Sequence, residues 1–508
     1  RQRQMCIRDR IFGGAFTSAR GAVRNRLARV LADGTIDETF NPNVDGVVNA
    51  IELQDDGKVL IAGAFTKVGS ATRSRVARLN SDGSLDTSFA PIVSDIVYSM
   101  ALQNDGKIVI AGNFTQVNGV GRTYLARLES TGALDTAHNV KINSPVTCSL
   151  LQADGKLLIG GTFFSVNDVD RYAIARLSSD GTLDATFDPL VDDTAFYPSV
   201  KSLAQQADGK LLLTGEFDKV AGIARQRLAR LNANGSLDQN FPGSVAGEIR
   251  SLAISSEGSI SLGGVFTSVS GQAEATLALL DNSAAVQSLE LIDSTKLRWN
   301  RSGSAPQVTR AYVDSSTDNG ETWNRLGKLS LTTGGWEASG LTLPNSGLIR
   351  VWGTTRSGFY NGSSGLVSSV VPAGVYSGSQ SVAQGFIAVP PGSFVMGSAD
   401  TELGRKNDET QRTVTLSKGF FIKKSEVTLA EWREIRNQGS TKGYTDLAAG
   451  SIDVVSDLSG KRPVSGISWW DAVKWCNLRS EIEGKTPVYY QSAAVSYTHL
   501  TLPTKRIV

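Results

Sequence analysis

The tripeptide Ala-Arg-Leu, or a close variant, starts at positions 28, 77, 126, 175, 229 and 278, so one unit recurs six times with spacings of 49, 49, 49, 54 and 49 residues. A second mark, Gly-x-Phe, keeps the same rhythm at Gly14–Phe16, Gly63–Phe65, Gly112–Phe114, Gly161–Phe163, Gly215–Phe217 and Gly264–Phe266. Such a unit cannot bury its apolar faces alone; copies must stack. Within one copy, Val47–Gln54 alternates, Asp55-Asp56-Gly57 supplies a turn requiring positive φ, and Lys58–Ala62 is apolar, which is the pattern of a hairpin. A second hairpin follows: strand Arg75–Asn80, turn Asp82-Gly83, and a run through Leu85 to Phe89. Four short strands in each unit predict a β-propeller blade over residues 11–284, with a β-solenoid as the alternative. The first unit lacks its opening strand, so it is expected to show an unpaired strand edge or to meet the sixth unit across a gap.

Composition narrows the function classes. Lys and Arg (51) nearly balance Asp and Glu (49), which gives no electrostatic footprint for nucleic acid or an acidic membrane surface. No apolar run predicts a membrane span. Three Cys and two His are too few for a Cys/His metal cluster or a disulfide scaffold. The ends reduce even these. Arg1–Asp9 can be encoded by a strand whose reverse complement translates as Val495–Pro503. Residues 1–10 and 495–508 are therefore expected to be translated sequencing adapter, with Cys6 and His499 not biological and the reading frame cut at both ends.

The repeat tests candidate functional residues by register. His138 falls where the other units hold Phe40, Phe89, Phe187 and Phe241, so it reads as a filler of an aromatic packing slot. Cys148 falls where they hold Ala50, Ser99, Ser202 and Ser251, a small-residue position in a strand. Five units pair a strand arginine (Arg29, Arg78, Arg127, Arg176, Arg230) with an aspartate past the turn (Asp37, Asp86, Asp135, Asp184, Asp238). The sixth has Leu279 and loses the aspartate too, so the two are expected to bond within a blade. Calcium held by the Asp-x-Gly-x-x-Asp turns is the alternative. The pattern AGxFTxVxG…ARLxxDGSLDxxF resembles the delta-60 repeats of bacterial surface proteins, which implies a propeller that binds or scaffolds.

After Leu280 the rhythm stops. Over residues 285–371, alternating runs such as Lys296–Asn300, Thr309–Asp314 and Leu348–Trp352 between Ser/Gly/Pro turns predict an immunoglobulin- or fibronectin-like β-sandwich, with Trp299, Trp323, Trp336 and Trp352 in its core or rim. Ser316–Trp323 matches the Asp-box S-x-D-x-G-x-T-W of sialidase-type propellers, where the box is a braced structural hairpin rather than a catalytic element.

Residues 372–385 read as a Ser/Gly-rich linker. Phe386–Gly397 and Thr413–Val427 alternate as strands, Thr428–Glu431 opens a helix as a capping box, and Ser468 with Asp471 opens a second. The ordered motifs VPPGSFVMGS, GFFIKKSEVT, PVSGISWWDAVKWCN and TPVYY resemble the formylglycine-generating enzyme family, the sulfatase-modifying factors. The resemblance, over residues 386–494, implies an α+β fold related to C-type lectins. Catalytic members convert a substrate Cys to formylglycine with a copper-binding Cys pair in their C-terminal half; Cys476 matches the helix cysteine of the W-C-N motif instead, and reads as a buried helix Cys or a structural disulfide partner.

The sequence thus predicts a mainly β, multidomain protein, and the two resemblances imply a bacterial one of the secreted or cell-envelope space. Its propeller and sandwich would act as a platform for protein or glycan ligands. No catalytic, cofactor-binding or metal residue is expected in this stretch, and copper is expected only in an intact C-terminal domain. The alternatives are a copper-dependent, formylglycine-forming oxidoreductase and a lectin-like adhesin or structural surface protein.

Overall fold

A computed structural model describes residues 10–31, 33–274, 276–333, 335–357, 362–374, 386–389, 392–396, 412–416, 420–423, 426–451 and 463–482. The chain divides into two compact units, one formed mainly by residues up to 384 and the other mainly by residues from 422 onward.

In the first unit the repeat forms successive antiparallel blades. The second copy is typical: Val48–Leu53, Val59–Gly63 and Val76–Leu79 pair in that order, and a two-residue hairpin joins Lys67–Val68 to Ala71–Thr72. The fourth edge is a single bridge, Leu79↔Leu85, because Asp86 turns the chain away by accepting the Ser88 N–H at 3.0 Å. All five residues of Val59–Gly63 are buried, so this strand shows no alternation: blades cover both of its faces. The first strands of successive copies, Val48–Leu53, Val97–Leu102, Val146–Leu151, Ser199–Gln205 and Val245–Ile254, lie side by side.

The Gly-x-Phe motif follows from this packing. A register shift between Val48 and Ala50 brings the Val47 carbonyl so close that a Cβ on Gly63 would meet its oxygen at 2.0 Å. Gly112, Gly161, Gly215 and Gly264 face the same obstacle at 2.1, 2.2, 1.9 and 2.1 Å. Phe65, two residues on, is fully buried.

The first copy pairs Arg10–Gly13 with Leu27–Val30, keeps the small hairpin Ser18–Ala19 with Ala22–Val23, and bridges Val30 to Ile36. Among the described residues Arg10–Gly13 has one partner strand, Leu27–Val30.

Residues 285–372 form seven antiparallel strands in the order Ala285–Asp293, Lys296–Gly303, Gly335–Ala338, Asn324–Thr332, Arg310–Ser316, Leu348–Ser357, Ser363–Pro372. Leu289, Leu297 and Trp299 from one end of this order pack with Val313, Ile349 and Val351 from the other, so the sheet folds over one core. Trp299 and Trp336 are in that core and the half-buried Trp323 and Trp352 are at its rim. Trp299 Nε1 donates to Ser369 Oγ at 3.0 Å. The Asp-box is a braced hairpin: Asp318 Oδ1 accepts from Ser316 Oγ at 2.7 Å and from the Thr322 N–H at 2.8 Å, and Trp323 Nε1 donates to the Gly320 carbonyl at 3.1 Å.

Further along, Phe386–Val389 pairs with Phe420–Lys423, and Gly392–Met396 with Arg412–Leu416. In the second unit the helices Leu429–Arg436 and Trp469–Ile482 begin at the two predicted capping boxes. Thr428 Oγ1 accepts from Glu431 N at 3.3 Å while Glu431 Oε2 accepts from Thr428 N at 2.9 Å. Ser468 and Asp471 exchange the equivalent bonds at 3.1 and 2.9 Å. Trp432 and Trp475 stack at 5.6 Å between ring centroids, and Trp475 Nε1 donates to the Trp432 carbonyl at 3.1 Å.

Candidate functional site

The densest polar chemistry of the blades is the arginine–aspartate pair. Arg29, Arg78, Arg127, Arg176 and Arg230 each donate from Nε to Asp37, Asp86, Asp135, Asp184 and Asp238, at 2.7 to 2.9 Å. The pairing is the one expected from sequence; two further contacts are not. Lys58, Lys107, Lys156 and Lys210, the residues after the Asp-Gly turns, reach the same carboxylates at 2.7 to 3.0 Å. Each arginine also crosses to the next copy: Arg78 Nη1 donates to the Ser130 carbonyl at 2.7 Å, Arg176 Nη1 to Ala233 at 2.8 Å, and Arg230 Nη1 to Asn282 Oδ1 at 2.6 Å. The guanidinium lies over the slot aromatic, Arg78 being 4.6 Å from the Phe89 centroid.

These aspartates are therefore full. Asp86 Oδ2 accepts from Arg78 and Lys58 while Oδ1 accepts from the Ser88 N–H and hydroxyl. The Lys58 ammonium, then the Ser88 hydroxyl, hold its carboxyl far below the usual range. At Asp37, burial pushes upward but bonds from Thr39 and Arg29 outweigh it, and the value falls to about 2. The cations that a calcium ion would replace are already in place.

His138 and Cys148 both sit in the interior. His138 is 3% exposed; desolvation, and then the Arg127 charge, lower its pKa to about 4. Its Nδ1 is buried without a hydrogen-bond partner. Cys148 is fully buried, its thiol pushed up to about 12 by desolvation, and a Cβ on Gly160 would meet its sulfur at 2.6 Å. Neither presents a reactive atom to solvent.

Cys476 differs from the expectation of a buried or disulfide-linked residue: it is free and exposed. The helix Trp469–Ile482 buries Val473, Trp475, Asn477 and Leu478, and at 100° per residue Cys476 stands on the opposite face. Among the described residues no three His, Cys, Asp or Glu side chains cluster as a metal site, and Cys476 has no second cysteine beside it, so the described residues do not make a thiolate copper centre. Cys6 and His499 lie outside the described residues.

One groove of about 510 Å³ lies where the blades meet the seven-stranded module. It is lined by blade-turn residues including Asp55, Gln103 and Asn104 and by Tyr312, Lys328 and Trp336. The seam around it is tightly held. Glu52, 6% exposed, takes Arg310 at 3.2 Å and is paired with Arg356 as well. Asp55 pairs with Lys328 and accepts from the Tyr312 hydroxyl. In the fifth copy, Ala207 N donates to the Ala305 carbonyl at 2.7 Å and Gln307 N to Gln205 at 2.8 Å. Sequence reasoning missed this seam; its only local signal is a glutamate at a strand position that Ala101 and Leu150 fill in the next two copies.

The fold and its side chains define a repeat β-propeller, carrying a seven-stranded β-module and followed by an α+β region. Residues 11–40, 54–89, 103–137, 152–187 and 206–241 match the family described as a domain of unknown function (DUF5122) beta-propeller. Residues 373–506 match the sulfatase-modifying factor enzyme 1-like domain, so the chain combines DUF5122 propeller repeats with a region of that enzyme family. The sixth copy, which lacks the arginine and aspartate, lies outside the propeller match.

A curated relative, a chaperone protein LppX of Paenibacillus barcinonensis, is 30% identical over 114 residues, 22% of this chain and 32% of that protein; the chain thus spans about a third of its length. Among solved structures, a streptogramin B lyase is 14% identical, covering 60% of this chain and 95% of its own, at a TM-score of 0.32. PorZ of Porphyromonas gingivalis is 12% identical, covering 68% and 48%, at 0.31. No helix among the described residues is long and apolar enough to cross a membrane.

Proposed function

We propose that the propeller and the β-module it carries are a binding and positioning platform for the sulfatase-modifying-factor-like domain, working outside the cytoplasm in the secreted or cell-envelope space. The observation that carries this reading is that the charged groups repeated from blade to blade are spent on holding the propeller together. The five aspartates are each held by an Arg, four of them by a Lys as well, and His138 and Cys148 are interior packing groups. What such a scaffold offers a partner is surface, to a protein or a glycan.

The match to the sulfatase-modifying factor family supports a second reading, in which the intact protein oxidises a substrate Cys to formylglycine with copper and O₂. One experiment separates the two. The intact protein, with its C-terminal domain complete, is incubated with copper(I), oxygen, a thiol reductant and a Cys-bearing sulfatase peptide, and the peptide is analysed by mass spectrometry. The platform reading expects it to be recovered unmodified; formylglycine in place of the Cys would carry the enzyme reading instead.

A further inference from the structure

The repeat is its own control for surface residues: a side chain that departs from every sibling copy is not required by the blade. Phe164 stands where the other copies hold Thr17, Thr66, Thr115, Asp218 and Thr267, and Tyr172 where they hold Asn25, Ser74, Thr123 and Gln226. The 54-residue spacing has one origin, five extra residues between Val191 and Val200, and these bring Phe196 and Tyr197. The departures converge in space. Phe164 and Tyr197 stack with ring centroids 6.0 Å apart and planes 24° from parallel. Tyr172 lies between Arg171 and Ala173, whose N–H groups bond the Phe164 and Phe163 carbonyls at 3.1 and 2.8 Å.

The patch is open to solvent, Phe196 being 83% and Tyr197 77% exposed. It is also held in shape. Asp193 Oδ1 accepts from Ala195 N at 2.8 Å and Phe196 N at 3.0 Å, Thr194 N donates to Asp218 Oδ1 at 3.1 Å, and Asp218 N donates to the Asp192 carbonyl at 3.1 Å. Phe196 and Tyr197 on this braced loop, with Phe164 stacked on Tyr197, leave apolar area in water and pre-order it, which lowers the entropy lost on binding.

The charge around them selects the occupant. Residues 164–172 and 188–198 carry five aspartates (Asp168, Asp170, Asp188, Asp192, Asp193); Lys141 pairs with Asp168 at 2.8 Å and Arg171 with Asp188 at 3.3 Å, so the surround keeps a net negative charge, to which aromatic faces add negative quadrupole potential. A neutral glycan draws nothing from that field; a protein segment with Lys or Arg among apolar side chains draws on both components. Resting on the platform reading, we propose that this aromatic patch, built by the one insertion in the repeat, docks a cationic, apolar-bearing segment of a partner protein.

The test titrates the full chain with a short labelled peptide alternating arginine with leucine, its glutamate-for-arginine counterpart, and a neutral β-glucan oligosaccharide. The arginine peptide should bind saturably and weaken as salt rises, while the glutamate peptide and the glucan should not bind. Phe164→Thr, which restores the sibling residue, and the double variant Phe196→Ser/Tyr197→Ser should each weaken binding by roughly tenfold, the loss of an aromatic anchor, with unchanged melting temperature. Equal binding of both peptides, arginine-peptide binding that the variants leave intact, or glucan binding lost with the aromatics would overturn the proposal. Such a failure leaves the platform standing, because only formylglycine formation in the assay above removes it.

Discussion

His138 shows at the scale of one residue how far a repeat can discipline a functional guess. The glycine beneath the slot is kept: Gly83, Gly132 and Gly235 approach Phe40, Phe89 and Phe187 as Gly181 approaches His138. The imidazole fills an aromatic space and leaves Nδ1 unbonded, so His138→Phe should stabilise the chain at neutral pH by about 1 kcal/mol, measured by chemical denaturation. The sign of its pH effect is fixed. The folded pKa, about 4, lies below the unfolded value near 6.5, so the unfolded chain binds the extra proton between them. Wild-type stability should therefore fall as pH drops from roughly 6.5 towards 4, and His138→Phe should flatten that limb. An unchanged limb in the variant would show that another group carries it. The slot was legible in the sequence because four siblings occupy it; the unbonded Nδ1 was not, since register shows which residue fills a space and not what that space offers it.

At the scale of the element, each blade was written in its motif, while the joints between blades were not. Gly-x-Phe, the Asp-Gly turns and the two capping boxes of the second unit each act within a few residues of themselves, where pattern reads directly as geometry. The arginine has three duties: Arg78 bonds Asp86 eight residues on, covers Phe89, and caps the Ser130 carbonyl 52 residues away. Only the first is visible from the joint loss of the pair in the sixth copy. Replacing Asp135 by Asn leaves Arg127 and Lys107 facing a neutral amide in a largely buried setting, and should cost about 3 kcal/mol. Arg127→Leu, the residue type of the sixth copy, should also destabilise, but Asp135→Asn and Arg127→Leu together should cost less than the sum of the two. Strict additivity in the double-mutant cycle would mean the two side chains do not act as one joint. Because the carboxyls of this ladder titrate below the usual range, their contribution should be full above the unfolded value near 3.8 and be lost progressively as pH falls from there through the folded value, about 2 at Asp37.

At the scale of the propeller and the module it carries, the decisive contact joins residues 258 positions apart, Arg310 Nη2 and Glu52 Oε2. No period or spacing announces such a pair, which is why the seam was missed although the strands on both sides were expected. Glu52→Gln strips the charge from a site where Arg310 and Arg356, 11% and 7% exposed at their side chains, have it as their shared partner. Breaking a buried pair costs roughly 3–5 kcal/mol, so hydrogen exchange should rise first along the turn Gln205–Asp208 and the strand Leu348–Ser357 while the blade strands stay protected. Uniform exchange across blades and module would show that they unfold as one body and that Glu52 is no seam.

The central claim is that charge inside the blades holds the scaffold while departures on its surface do the binding. It is tested most directly by measuring melting temperature and arginine-peptide affinity together, on the full chain, for Asp135→Asn and for Phe196→Ser/Tyr197→Ser. The account predicts a crossed result: the first loses stability and, below its melting transition, keeps wild-type affinity, whereas the second keeps its melting temperature and loses roughly tenfold in affinity. Loss of affinity in folded Asp135→Asn, or loss of stability in the aromatic variant, would contradict it.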